Sequence, residues 1–201
     1  MSQRLVLATR NEGKKAELAR ILARQGLDVT LADLGDFPGV PDVVETGLTF
    51  EENAVLKARA AVAATGLPAV ADDSGICVDV LGGMPGVLSA RWCGHHGDDA
   101  ANLALLLDQI AELPDSARRA QFVCAAAVAL PDGRVEVVEG QLDGWLVRQP
   151  RGSNGFGYDP VFVPEGHDRT TAELSADEKD AISHRGRAFR ALAPVIARLL
   201  G

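Results

Sequence analysis

The sequence has three cysteines in 201 residues, Cys77, Cys93 and Cys124, and no two of them form a C-x-x-C pair. An odd, scattered set excludes a disulfide framework and a thiolate metal cluster. It reads as the reduced thiols of a cytoplasmic protein. Long apolar runs are also missing. Leu5 to Ala8 is too short for a signal-peptide core, and the stretch from Phe122 to Leu130 stops at Pro131-Asp132-Gly133. Neither can span a bilayer, so no membrane partner is expected. Positive charge is in deficit: the formal net charge of −8 excludes a broad face for a nucleic-acid polymer and leaves room only for a local basic pocket. A P-loop is absent too. The segment TRNEGKK (residues 9–15) lies between apolar RLVLA and the helix-like AELARILARQ, where a phosphate loop is looked for. Yet Ala8 stands where the motif needs glycine, and Lys15 follows Lys14 where it needs Ser or Thr.

What is present is an ordinary globular composition, 47% hydrophobic and 24% charged, long enough for one large domain or two intimately packed lobes. The spacing predicts a first strand, a helix through Leu18, Ile21 and Leu22 closed by Gly26, and a second strand over LDVTLADL. A Gly/Pro-rich loop, DFPGVPDVVETG, then leads to a helix with Thr49 as N-cap, Glu52 as its capping-box partner and Gly66 at its end. PAVADDSGICVDVLGG reads as two strands interrupted by the polar Asp72-Asp73-Ser74-Gly75. A helix over DDAANLALLLDQIAEL follows, then a long hairpin about Pro131-Asp132-Gly133, with Gly140 marking a bulge or bend. The Gly-rich loop RGSNGFGYDP and the short strand PVFV precede a helix opened by Ser175 and Glu178. In the last helix Pro194 is expected to kink or divide the element. Early alternation and later clustering of strands point to an α/β fold with a mixed twisted sheet flanked by helices.

Four polar clusters stand out, each with a plain structural alternative. The TRNEGKK turn at a helix N-terminus suits an anion, with Lys14 adding charge; equally, Asn11 caps the helix and the lysines are solvated. Glu45 with Asp72 and Asp73 offers the carboxylates magnesium takes, but Asp-Asp-Ser-Gly is good turn chemistry by itself. Gly155-Phe156-Gly157-Tyr158-Asp159-Pro160 holds the one tyrosine beside a carboxylate, as a purine pocket would, or plugs the core with its aromatics. Lys179 and Ser183-His184-Arg185-Gly186 supply donors for a base carbonyl or phosphates, or lie on a solvated helix face.

Taken in order, T-x-N-x-x-K, ETGLTFEENAVLKA, ADDSG followed by VDVLGGMPGVLSARW, GFGYDP and SHRGRA closely resemble the inosine triphosphate pyrophosphatase family, from about residue 4 to the last helix. Arg10 departs from the pattern, since many members carry glycine or another small residue there. The resemblance implies a single domain over residues 1–201 made of two lobes around a deep central cleft, a homodimer, and dependence on magnesium. It implies hydrolysis of the deaminated purine nucleotides ITP, dITP and XTP to the monophosphate and pyrophosphate. Carried over, Thr9, Arg10, Asn11, Glu12, Gly13 and Lys14 would bind the triphosphate. Glu45 and Asp73 would hold magnesium, with Asp73 also the proton acceptor and Ser74 a substrate contact. Phe156, Gly157, Tyr158, Asp159, Lys179, His184 and Arg185 would hold the nucleotide around its base. Lys179 or Arg185 facing a 6-carbonyl, with Asp159 or a backbone acceptor facing N1–H, would leave adenine unpaired. Two rival readings are a non-catalytic purine-nucleotide sensor and a pyrophosphatase acting on pyrimidine triphosphates.

Overall fold

The computed structural model describes residues 3–26, 29–40 and 43–201. Leu27 and Asp28 of the expected second strand, and Pro41 and Asp42 of the loop after it, lie outside the described residues. The elements in chain order are β1 (Gln3–Leu7), α1 (Glu12–Ala23), β2 (Val29–Asp33), α2 (Phe50–Thr65), β3 (Ala69–Val78), α3 (Asp99–Gln109), β4 (Arg119–Ala129), β5 (Val135–Leu146), β6 (Phe162–Pro164), α4 (Ala176–Ile182) and α5 (His184–Leu200). Six strands form one sheet in the order β2-β1-β3-β4-β5-β6. β1 runs parallel to β2 and to β3, while β5 and β6 are antiparallel. The fold is thus α/β with a mixed sheet. Among the described residues no helix is long and apolar enough to cross a membrane.

The chain divides into two compact units. One comprises Met1–Asp73, Cys124–Gly140 and Arg185–Gly201; the other comprises Ser74–Val123 and Gln141–His184. In the first, Leu18, Ile21 and Leu22 of α1 and Phe189, Leu192 and Ile196 of α5 bury against Leu5, Leu7, Val70, Cys124, Ala126 and Val128 of the sheet. Alternate residues of a strand share a face, so α1 and α5 cover the face to which Val70 and, two residues on, Asp72 belong. In the second unit, Ile76, Val78, Leu106, Ile110, Phe122, Leu142, Tyr158 and Phe162 form the core.

Two expectations change. The stretch predicted as two strands interrupted at Asp72–Gly75 is one strand of ten residues, β3, which runs straight through the acids. It does so because the acids are paired inside rather than turned out to water, as described below. Of the kink or division expected at Pro194, the division is excluded, since the proline lies within one continuous helix, α5. Its missing N–H costs one helical bond, but Phe189, Leu192 and Ile196 on the buried face anchor the helix on both sides. The capping expectations hold: Thr49 with Glu52 and Ser175 with Glu178 both form reciprocal boxes, and Gly66 ends α2.

Candidate active site

The TRNEGKK turn joins β1 to α1. Thr9 Oγ1 accepts the Asn11 N–H at 3.2 Å, and Asn11 Oδ1 accepts the Lys14 N–H at 2.9 Å. Asn11 therefore caps the helix, which accounts for about 1 kcal/mol of local stability. It does not exhaust the helix end. Among the described residues the amides of Glu12 and Gly13 have no protein acceptor, so they remain available to an anion alongside the helix dipole. The two lysines part company here. Lys15 pairs with Asp33 Oδ2 at 2.5 Å, whereas Lys14 reaches Asp72 Oδ2 at 3.1 Å. Arg10 donates through Nη2 to the carbonyl of Val40.

Asp72 and Asp73 are consecutive on β3, so their side chains leave opposite faces of the sheet. Both are buried. Asp72 Oδ2 meets Lys14 and also Arg185 Nε at 3.2 Å. Burial disfavours its charge, but Lys14 and Arg185 outweigh that and hold the carboxyl far below the usual carboxylate range. On the other face, Asp73 Oδ1 accepts from Lys57 Nζ at 2.8 Å, and Asp73 Oδ2 from Asn53 Nδ2 at 3.2 Å. Lys57 Nζ also reaches Glu45 Oε1 at 2.9 Å. Here burial wins and pushes the Asp73 carboxyl upward, despite Lys57 and Lys14. Burial works against the Lys57 charge too, but Asp73, Asp72 and Glu45 raise it, so the ammonium is held as a cation.

The arrangement of Glu45, Lys57 and Asp73 bears directly on magnesium. Two carboxylates close on one cation, and the three side chains together carry a surplus negative charge. A magnesium site built from one or two carboxylates plus phosphate oxygens asks for no more protein than this. Among the described residues no three His, Cys, Asp or Glu side chains form a group that could hold a metal ion.

In the second unit, the loop before β6 is tied down through Asp159, which is 3% exposed. Its Oδ2 accepts from the Phe156 N–H at 2.8 Å and from Lys179 Nζ at 2.5 Å, and its Oδ1 from Thr171 Oγ1 at 2.8 Å. Gly155 and Gly157 adopt φ of 75° and 62°, and a Cβ at Gly155 would run into the Asp159 carboxylate. The Gly157 N–H donates to Asp99 Oδ2 at 3.0 Å. Tyr158 is buried in the core with its hydroxyl donating to the Ser89 carbonyl at 2.9 Å, so this ring plugs the loop rather than offering a stacking face. Phe156 is half-buried, with Lys179 Nζ 5.1 Å from its ring centroid. His184 stacks on Phe122 at 4.7 Å between centroids.

The sequence-predicted residues therefore fall into two sets. Thr9 to Lys14, Glu45, Asp73 and also Arg185 belong to the first unit, and Phe156 to Asp159, Lys179 and His184 to the second, where half-buried Ser74 begins the unit. Sequence reasoning missed Asn53 and Lys57. The spacing of Asn53 and Lys57 was a usable signal: four apart on a capped helix, they share a face with buried Ala54 and Ala58 nearby.

The model of the Ham1 family matches residues 5–195 of the chain. The chain belongs to the Ham1 family. A relative from Streptomyces avermitilis, named dITP/XTP pyrophosphatase, is 64% identical over 98% of this chain and 99% of its own length. One of the same name from Mycobacterium tuberculosis is 57% identical over 98% of this chain and 96% of its own. Among solved structures, a HAM1 protein from Coxiella burnetii superposes with a TM-score of 0.87 at 42% identity, covering 98% of this chain and 99% of that one. This Ham1 fold is the α/β architecture expected from the sequence.

Proposed function

We propose that this Ham1-family chain is a magnesium-dependent nucleoside-triphosphate pyrophosphatase. It hydrolyses ITP, dITP and XTP to the nucleoside monophosphate and pyrophosphate, and so removes deaminated purines from the nucleotide pool. The observation that carries the reading is the cation seat, Lys57 held between Glu45 and Asp73, in the same unit as a helix N-terminus with Lys14 beside it. Relatives 64% and 57% identical bear the name dITP/XTP pyrophosphatase.

Cleavage between the α and β phosphates needs a water aimed at the α phosphorus, a proton acceptor and positive charge on the departing pyrophosphate. Asp73 is the acceptor, because its raised affinity for a proton brings it closer to the working pH than an ordinary carboxylate. Glu45 and Asp73 would hold the magnesium, whose charge, when bound, offsets that of the phosphates. Lys14 and the amides of Glu12 and Gly13 take up the negative charge that builds on the leaving group.

Base selection falls to the second unit. Lys179 is fixed by Asp159 and presents a cationic donor suited to a 6-carbonyl, with the Phe156 ring beside it. Because both Asp159 oxygens are already engaged, a backbone carbonyl is the better acceptor for N1–H. Adenine reverses both polarities and is left unpaired, which discriminates by about 10⁴-fold. The homodimer rests on the family resemblance, and the cytoplasmic setting on the three free thiols.

The test is pyrophosphate release from ITP, XTP, GTP, ATP and dTTP, with magnesium and with EDTA. Magnesium-dependent release confined largely to ITP and XTP is expected. Equal release from dTTP would favour the pyrimidine rival, and ITP binding without release would favour a sensor.

A further inference from the structure

The segment leading into α2 is held by the helix's own first turn. Glu52 Oε2 accepts the Leu48 N–H at 2.6 Å and the Thr49 N–H at 3.3 Å, and Asn53 Oδ1 accepts the Gly47 N–H at 2.8 Å. Two adjacent side chains thus take three consecutive amides. The bond to Gly47 is no part of an ordinary capping box. It needs a close approach: a Cβ at Gly47 would stand 2.6 Å from Asn53 Oδ1 and 2.9 Å from the Asn53 nitrogen. Glycine is required there for want of room.

Asn53 is fully buried, and its other end crosses to β3, where Nδ2 donates to Asp73 Oδ2 at 3.2 Å. The partners settle which end of the amide is which, since a backbone N–H only donates and a carboxylate only accepts. One turn on, Lys57 lies on the same face of α2. It joins Glu45 Oε1 to the other oxygen, Asp73 Oδ1, at 2.9 and 2.8 Å. The Glu45–Gly47 segment is tied to Asp73 twice, once through a cation and once through a neutral amide.

The two ties differ when charge arrives. Lys57 carries an ammonium on a flexible four-carbon stem, so phosphate oxygens attract it and a divalent cation repels it. Asn53 has no charge, lies out of water and is bonded at both ends. With Oδ2 anchored on Asn53, the plane of the carboxyl is set, and Oδ1 is the oxygen left to change partner.

We propose that Asn53 is a positioning residue for the reaction: it holds Asp73 with Oδ1 as the working oxygen, and through Gly47 it holds the segment bearing Glu45 against it. This deepens the pyrophosphatase reading above and rests on it. Asn53→Ala should lower kcat for ITP by about 10–100-fold and leave KM within about threefold, because a displacement of about 1 Å at a reacting group costs up to about 10²-fold. A residue that only supports the fold would lower Tm and leave the kcat of the folded enzyme unchanged, and that result overturns the proposal. Should Asn53→Ala give no cooperative melt, Gly47→Ala reads the same link from the loop side, by crowding Asn53 instead of deleting it. Its kcat should fall in the same sense, and an unchanged kcat there overturns the proposal equally.

An exchange of the acid and the amide tests the pair itself. Asn53→Asp alone brings two buried carboxylates together and should lower Tm. Adding Asp73→Asn reverses the polarity of the bond and keeps an acceptor for the Gly47 N–H. Tm should then recover to within about 4 °C of the wild type, with turnover still lost; no recovery would mean that Asn53 and Asp73 are not coupled. A wild type that binds ITP and releases no pyrophosphate would refute the pyrophosphatase reading. That failure shows before any substitution is made, so the two are told apart.

Discussion

Asp72 and Asp73 are neighbours in sequence, the same residue type and both buried, yet the two faces of β3 give them opposite surroundings. On one face Asp72 meets two cations, Lys14 and Arg185, and its charge is strongly favoured. On the other, Asp73 shares one ammonium with Glu45, and burial leaves its charge disfavoured. The difference teaches that, at similar depth, the cations meeting a carboxylate decide the direction of its shift.

The comparison can be broken at Asp73 first. Asp73→Asn should lower turnover of ITP by about 10²–10⁴-fold, the usual worth of a general base, while nucleotide binding is largely spared. Steady-state kinetics with equilibrium binding on a folded variant would check this, and unchanged turnover would remove Asp73 from the mechanism.

The same substitution one residue earlier should act on stability instead. The Asp72 carboxyl is depressed in the fold, so its contribution is present above the unfolded value of about 3.9 and is lost only as pH falls through its lower folded value. Asp72→Asn removes the charge that buried Arg185 and half-buried Lys14 share, at a cost of about 3–5 kcal/mol. That corresponds to a fall in Tm of about 10 °C for a chain of this size. Asp73 has the reverse sign. Its raised value means that holding it ionised at neutral pH costs stability, fully avoided only below the unfolded value. Asp73→Asn removes that cost but weakens a hydrogen bond from Asn53 or Lys57, so Tm should move by less than about 4 °C. Thermal melts of the two variants at pH 7 would show the contrast or its absence.

Much of this arrangement was legible beforehand, and the illegible part has a physical cause. Local chemistry carried the helix ends: Thr49 with Glu52 and Ser175 with Glu178 need only four residues to be recognised, and both boxes form. The break predicted at Asp72–Gly75 failed because a run of turn-forming residues says nothing about distant partners. Lys14, Lys57 and Arg185, from three separate helices, convert those acids into strand. Tyr158 was legible as an aromatic in a glycine loop, but whether it faces a ligand or the core was decided by Ser89, 69 residues away. Arg185 shows the same limit, since adjacent His184 belongs to the other unit.

The smallest effect separates the two lysines of the turn that drew attention first. They are adjacent, and from sequence alone either could serve a phosphate. Lys15 is spent on Asp33 at the end of β2, a pair at the surface where solvent screens it. Lys14 points along the buried Asp72 group and is 17% exposed at its side chain. Lys15→Ala should therefore leave the KM for ITP within about twofold and its turnover intact, because an exposed ion pair contributes little. Lys14→Ala, measured beside it, should raise KM and lower turnover together by removing a charge that acts on the leaving group. Equal effects at the two positions would mean that the turn attracts phosphate by bulk charge, and that the order imposed through Asp72 has no part in it.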